Sequence, residues 1–125
     1  MQRKMLRTEN MESQVNIADL AFRSHCPVAR SLDLVGDKWT LLIMRDALFL
    51  GRKTFADFAG GLERIPTNLL SDRLKKLVGL GLLHKQQYHE RPARYEYIPT
   101  PLGNELRPLL TAMRVFGETH LEGKA

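Results

Sequence analysis

A mainly helical fold carrying one small β-hairpin is what the sequence predicts, and three observations carry that expectation. Apolar residues recur at helical spacing in four stretches, beginning near Val28, Lys38, Thr67 and Leu102. One region reads instead as two short strands, L-L-H-K-Q-Q-Y and R-Y-E-Y-I, joined by a basic loop. Proline, glycine and capping residues punctuate these stretches where helices and strands should start and stop.

At 125 residues the chain has room for one domain with a modest core. Hydrophobic residues make up 43% and charged residues 26%, so an ordinary soluble globular class is expected. The formal net charge of +5 favours a polyanionic partner, because each phosphate neutralised releases condensed counterions. Ribosomal and membrane-surface proteins share such a surplus, so charge alone sets only a prior. The single cysteine, Cys26, excludes an internal disulfide framework and a multi-cysteine zinc site. The N-terminal residues lack an apolar core long enough for a signal peptide, and no run approaches the roughly 20 apolar residues of a membrane span. A cytoplasmic location without a membrane partner is expected.

Residues 1–24 read as an arm or weak helix, with Val15, Ile17, Leu20 and Phe22 as its apolar positions. Residues 25–99 hold the main unit and 100–125 a terminal helix, within one structural domain overall. Val28, Leu32 and Val35 share one face of a first short helix between Pro27 and Gly36. Asp37 can cap a second helix, K-W-T-L-L-I-M-R-D-A-L-F-L, closed by Gly51. Apolar almost all round, that helix should form the buried centre, with Trp39 as a core anchor rather than a binding platform. Thr54 and Asp57 match a capping box with Asp in place of Glu, which turns Phe55 and Phe58 to the core. Gly60 and Gly61 then break the chain.

Ile65-Pro66 opens a helix whose apolar stripe is Leu70, Leu74, Leu77 and Val78. Asn68, Asp72, Lys75 and Lys76 face the other way, with Ser71 at the border. Pro66 suits a first helical turn, and Gly79 and Gly81 suit its end, since glycine tolerates left-handed backbone angles. Past the hairpin, Thr100 caps a last helix with Pro101 in its first turn. Leu102, Leu106, Leu109, Leu110, Met113, Phe116 and His120 continue one face of it for about five turns. Pro108 lies inside and should kink it. A long amphipathic helix beyond a complete small domain needs a partner, and a second copy of the chain is the simplest. Leu106, Leu109, Leu110, Met113 and Phe116 are the expected dimer contacts.

Helix, glycine-rich turn, polar-faced helix and hairpin, in that order, are the layout of a winged helix-turn-helix, whose second helix enters a DNA major groove. Short polar side chains near the start of that helix can reach base edges. Thr67, Asn68, Ser71 and Asp72 fit this role, Asn68 pairing with adenine and Asp72 accepting from cytosine. Arg73 lies nearer the core stripe, where it forms an internal ion pair or reaches a phosphate. Arg52, Lys53, Lys75, Lys76, Arg91 and Arg94 are phosphate candidates, with Arg91 at the hairpin tip also suited to a narrow minor groove.

Cys26 follows His25 at the start of the first helix, a setting that favours the thiolate and makes it a candidate sensor of oxidants or electrophiles. The competing reading is a small buried hydrophobe. His84 and His89 flank the first strand without the carboxylates or cysteines of a metal site, so neither metal nor other cofactor is expected. No Ser-His-Asp set, paired carboxylates or phosphate-cradling loop points to an enzyme.

The stretch C-P-V-A-R-S-L-D-L-V-G-D-K-W-T-L-L-I-M-R-D resembles the opening of the HxlR-type winged helix-turn-helix regulators, relatives of the MarR group. F-A-D-F, I-P-T-N-L-L-S-D-R-L-K-K-L, G-L-L, R-Y-E-Y, T-P-L-G and F-G-E-T-H-L extend it, so that the resemblance covers about Cys26 to Leu121. It implies a cytoplasmic bacterial transcription factor, expected to be a repressor, that binds a palindromic operator in double-stranded DNA as a homodimer built from its terminal helices. It also implies, for some members, sensing through a cysteine at the position of Cys26. Two other readings use the same fold: a protein–protein adaptor that binds through the polar helix face, and a regulator sensing a small ligand at the dimer interface without thiol chemistry.

Overall fold

The computed structural model describes Ile17, residues 20–121 and Gly123. Most of the expected arm over 1–24 lies outside these described residues. Within them the order is α1 (Pro27–Val35), α2 (Lys38–Phe49), α3 (Phe55–Ala59), α4 (Thr67–Gly79), β1 (Leu83–Glu90), β2 (Ala93–Pro99), α5 (Pro101–Asn104) and α6 (Arg107–His120).

Local chemistry explains most of the boundaries. Pro27 opens α1 with Cys26 at its N-cap. Asp37 caps α2, its Oδ2 accepting from the Thr40 amide at 3.0 Å. The Thr54–Asp57 capping box is complete, each side chain accepting the other's backbone N–H at 3.1 Å. α2 runs through the middle of the molecule, with Thr40, Ile43, Met44, Asp46, Ala47 and Leu48 buried. Trp39 packs half-buried against this core. From α4 come Leu70, Leu74 and Leu77, all at most 1% exposed. Burying each such leucine contributes roughly 2 kcal/mol from apolar surface alone.

Several expectations need correcting. Of the α1 face only Val35 is buried, while Val28 and Leu32 are 67% and 57% exposed. Phe58 is buried as expected, but Phe55, the first residue of α3, is exposed. Pro66 is the N-cap of α4 rather than part of its first turn. Left-handed backbone angles fall on Gly51, just past α2, on Gly81 before β1, and on Arg64 in the turn before α4; Gly79 is simply the last, buried residue of α4.

The two strands pair antiparallel, from Leu83 opposite Pro99 to Glu90 opposite Ala93, with a register shift between Gln87 and His89. They are longer than the sequence suggested, and the connecting loop shrinks to Arg91 and Pro92. Beyond Leu83 every residue of β1 is exposed, whereas β2 is exposed over Ala93–Tyr95 and half-buried from Glu96 on, so the outer end of the ribbon stands in solvent. Its root is fixed by the Tyr97 amide donating to the Lys53 carbonyl at 2.7 Å and by an edge-to-face contact between Tyr97 and Phe58.

The terminal helix is two helices rather than one kinked one. α5 stops at Asn104, and α6 restarts with Pro108 in its first turn. A proline inside a helix removes a backbone bond and clashes one turn back, whereas in the first turn it does neither. The expected continuous face is therefore interrupted. Leu106 becomes the N-cap of α6, Leu110 packs into the core of its own chain, and Leu109, Met113 and Phe116 are 42%, 49% and 58% exposed.

Candidate nucleic-acid interface

Helix α4 buries its leucines against α2 and α3 and thereby turns Thr67, Asn68, Ser71, Asp72 and Lys75 to solvent, with Lys76 half-buried. No side chain caps its N-terminus. The first amides of a helix lack internal partners and carry partial positive charge, so this end is suited to an anionic surface. The root of β1 packs against the same helix, placing the ribbon beside α4. Arg91 and Arg94 are exposed on that ribbon. Lys85 joins them; its Nζ lies 4.6 Å from the Tyr95 ring centre and 5.9 Å from that of Tyr97. Sequence reasoning missed Lys85, although its place in β1, opposite the aromatic pair of R-Y-E-Y, was the available signal.

Two of the proposed phosphate contacts are engaged elsewhere. Arg52 turns inward: Nη1 donates to the Asp57 carbonyl at 2.9 Å, and Nε is buried 3.7 Å from Asp46 Oδ2. Its neighbour Lys53 is exposed. Arg73 makes the internal ion pair, donating from Nε to Asp37 Oδ2 at 2.9 Å and from Nη1 to Asp72 Oδ2 at 2.6 Å. A further ionic cluster escaped the sequence reading. Arg45 grips Glu63 with two bonds of 2.9 Å and also donates to Asp46, tying α2 to the turn that precedes α4. The Glu63 carboxylate, then burial against it, then Asp46 set the balance, and Arg45 is held even more firmly protonated than usual. Its signal was an R-D pair placed inside an apolar helix.

The Arg73 guanidinium, aided by the Thr40 donors and opposed by partial burial, holds the Asp37 carboxyl at about 2, below the ordinary 3.8. Folding thus lowers this group's affinity for a proton. The associated stability is complete above pH 3.8 and is lost as pH falls from there through about 2. Its ceiling is about 2 kcal/mol before screening, and with 32% of the side chain exposed the realised amount is smaller. Urea midpoints followed from pH 5 downward should therefore fall more steeply for the parent than for Asp37→Asn. Parallel curves would show that this carboxyl does not govern acid stability.

Cys26 is exposed, which sets aside the buried-hydrophobe reading. His25 does not serve it directly: Arg30 Nη2 donates to His25 Nδ1 at 3.1 Å, and the Cys26 amide donates to Ser24 Oγ at 3.0 Å. An apolar groove of about 650 Å³ runs between α2 and α6, lined by Leu41, Leu42, Phe49, Leu110 and Met113 among others. Among the described residues no helix is long and apolar enough to cross a membrane.

A polar-faced helix held against a partner helix by a short turn, followed by an exposed two-stranded ribbon, defines a winged helix-turn-helix module. The model of the HxlR-like helix-turn-helix family matches residues 34–125, and the chain belongs to that family. It is 40% identical over 106 residues to the HTH-type transcriptional regulator MT3179 of Mycobacterium tuberculosis, covering 84% of this chain and 66% of that protein. The chain thus spans just under two thirds of the length of that relative. Among solved structures it resembles PA1607, described as a candidate transcription factor, with a TM-score of 0.72 at 39% identity over 82% of this chain and 70% of the other. It also resembles the redox regulator HypR in its oxidized form, with a TM-score of 0.69 at 32% identity over 76% of this chain and 97% of the other.

Proposed function

We propose that the chain is a sequence-specific transcriptional regulator that acts in the cytoplasm as a homodimer on a palindromic operator, with repression by occlusion as its simplest output. The observation that carries this reading is the pairing of an exposed polar face on α4 with an exposed cationic ribbon packed beside it. A two-stranded ribbon is only marginally stable in water on its own, so one whose outer end is solvated gains from docking on something else. Thr67, Asn68, Ser71 and Asp72 would read base edges. Lys53, Lys75, Lys76, Arg91, Arg94 and Lys85 would contact phosphates, Arg91 lying nearest the minor groove. Exposed α6 side chains would join two copies, presenting the two α4 helices roughly 34 Å apart.

The signal proposed is a small oxidant or electrophile at Cys26. Two features support it: the thiol is exposed at the N-cap of α1, and the similar protein HypR is named a redox regulator. The thiolate sulfur would add to a ring carbon of a quinone, an S–C bond forming as the ring C=C π bond opens and its electron pair moves to the carbonyl oxygen, which takes up a proton.

Selection from a pool of random duplexes, followed by band-shifts at several salt concentrations, tests both parts. Binding should weaken steeply with salt. Asn68→Ala should lose about tenfold in preference at one base position, while Lys75→Ala should weaken all sequences alike and lower the salt slope by about one. Equal affinity for every duplex, unaffected by Asn68→Ala, would leave the α4 face to a protein partner instead. A quinone should release the parent from DNA but not Cys26→Ser; equal release would end the thiol proposal.

A further inference from the structure

Arg73 looks, by residue type and position, like one more cation for the DNA backbone, yet its donors are committed elsewhere. Nε and Nη2 reach Asp37 at 2.9 and 3.3 Å, and Nη1 reaches Asp72 Oδ2 at 2.6 Å. Asp37 is itself anchored, accepting from the amide and hydroxyl of the fully buried Thr40 at 3.0 and 3.2 Å. A continuous chain of bonds therefore runs from the core, through Thr40, Asp37 and Arg73, to Asp72 on the exposed face of α4. Exposure is greatest at the outer end of this chain: 68% of the Asp72 side chain meets solvent, against 21% of Arg73. The cation is withdrawn and the anion is offered.

An acid on a DNA-facing helix is a liability for non-specific binding, since it repels phosphates. It is useful only if it accepts a hydrogen bond from a base, and an ionised carboxylate can only accept. In the major groove cytosine presents its N4 amino group as a donor, whereas adenine sets the N7 acceptor beside its N6 amino group, which a carboxylate would meet unfavourably. A free Asp side chain would spread over several rotamers. Arg73 removes that freedom by holding Oδ2, which leaves Oδ1 to accept, and its charge offsets the repulsion.

We propose that Arg73, clamped by Asp37, is a positioning residue that orients the Asp72 carboxylate to select cytosine at one position of each half-site. This rests on the DNA-binding reading above and adds a role for two residues away from the bases. The planar guanidinium fork is what the role requires; a lysine ammonium carries the charge without the geometry.

The test is selection from random duplexes with the parent, Asp72→Ala, Arg73→Lys and Asp37→Asn, each first checked for folding by thermal melting. All three variants should lose about tenfold or more in preference for cytosine at one and the same position, with the other positions unchanged. Arg73→Lys should keep the parent's salt slope. If Arg73→Lys retains the cytosine preference, or if the variants weaken all positions uniformly, the positioning role is wrong. An Arg73→Ala variant that lowers the salt slope by about one would make Arg73 a phosphate contact instead. Should Asp37→Asn fail to fold, Arg73→Lys still decides, because it leaves the Asp37–Thr40 cap intact. A parent that selects no duplex overturns the DNA reading and this role with it; a parent that selects DNA while its variants behave identically overturns the role alone.

Discussion

Replacing Met113 and Phe116 together with aspartate is expected to convert the chain to a monomer and to weaken operator binding by about 100-fold or more. Both side chains are about half exposed on α6, so the change should leave the monomer core intact. The same helix exposes Leu109 at 42% and Val115 at 49%, α1 exposes Val28 and Leu32, and the end of α2 exposes Phe49 and Leu50. A small monomer rarely leaves so many large apolar side chains in water. The groove between α2 and α6 supplies a concave surface for a partner helix, lined by Leu41, Leu42 and Met113. Affinity should suffer because one module alone forfeits the effective concentration that links two half-sites. Light scattering after gel filtration reads the assembly state, and a band-shift on a two-half-site duplex reads the affinity. A variant that stays dimeric, or a parent that is monomeric at micromolar concentration, would place the interface elsewhere or remove it.

What the sequence disclosed and what it hid follow one physical division. Caps, stripes and punctuation are local, so Asp37, the Thr54–Asp57 box and the Leu70–Leu74–Leu77 stripe of α4 could all be read from spacing. The polar face opposite that stripe came with it, and so did most of the candidate contacts. Long-range pairings left no such trace. Nothing in the spacing of Asp37 and Arg73, or of Arg45 and Glu63, brings them together; only the packing of α2 against α4 and its preceding turn does so. The inward turn of Arg52 was hidden for a different reason: it depends on how the chain leaves α2, which brings the guanidinium back to Asp46 and to the Asp57 carbonyl. Pro108 was a different kind of error. The apolar period runs through it without a break, but the proline ring restarts the helix, and the faces on either side no longer align.

Gly103→Val is expected to be the most destabilising single change, costing about 3 kcal/mol or more. Gly103 lies on α5, where the chain returns from the ribbon and crosses Leu82 just before β1. A Cβ built at this position would sit inside the contact distance of the Leu82 carbonyl oxygen, 3.1 Å from its carbon and 3.3 Å from Met44 Cε. The methionine end can swing aside, but the carbonyl belongs to backbone that is already fixed. Its oxygen accepts from the Thr100 amide at 3.2 Å, while the Thr100 hydroxyl holds the neighbouring Gly81 carbonyl and accepts from the Gly103 amide. Moving α5 away would break these bonds and expose Leu82 and Leu83, which are 4% and 1% exposed. For a domain of this size such a loss lowers the melting temperature by roughly 10 °C or more. The consequence reaches the interface, because Leu83 begins the ribbon and packs it on α4. A milder Gly103→Ala variant should therefore lose operator affinity at temperatures where it remains folded, as the ribbon shifts relative to the helix. If Gly103→Ala melts and binds like the parent, the backbone here is more yielding than the close approach of α5 to Leu82 implies.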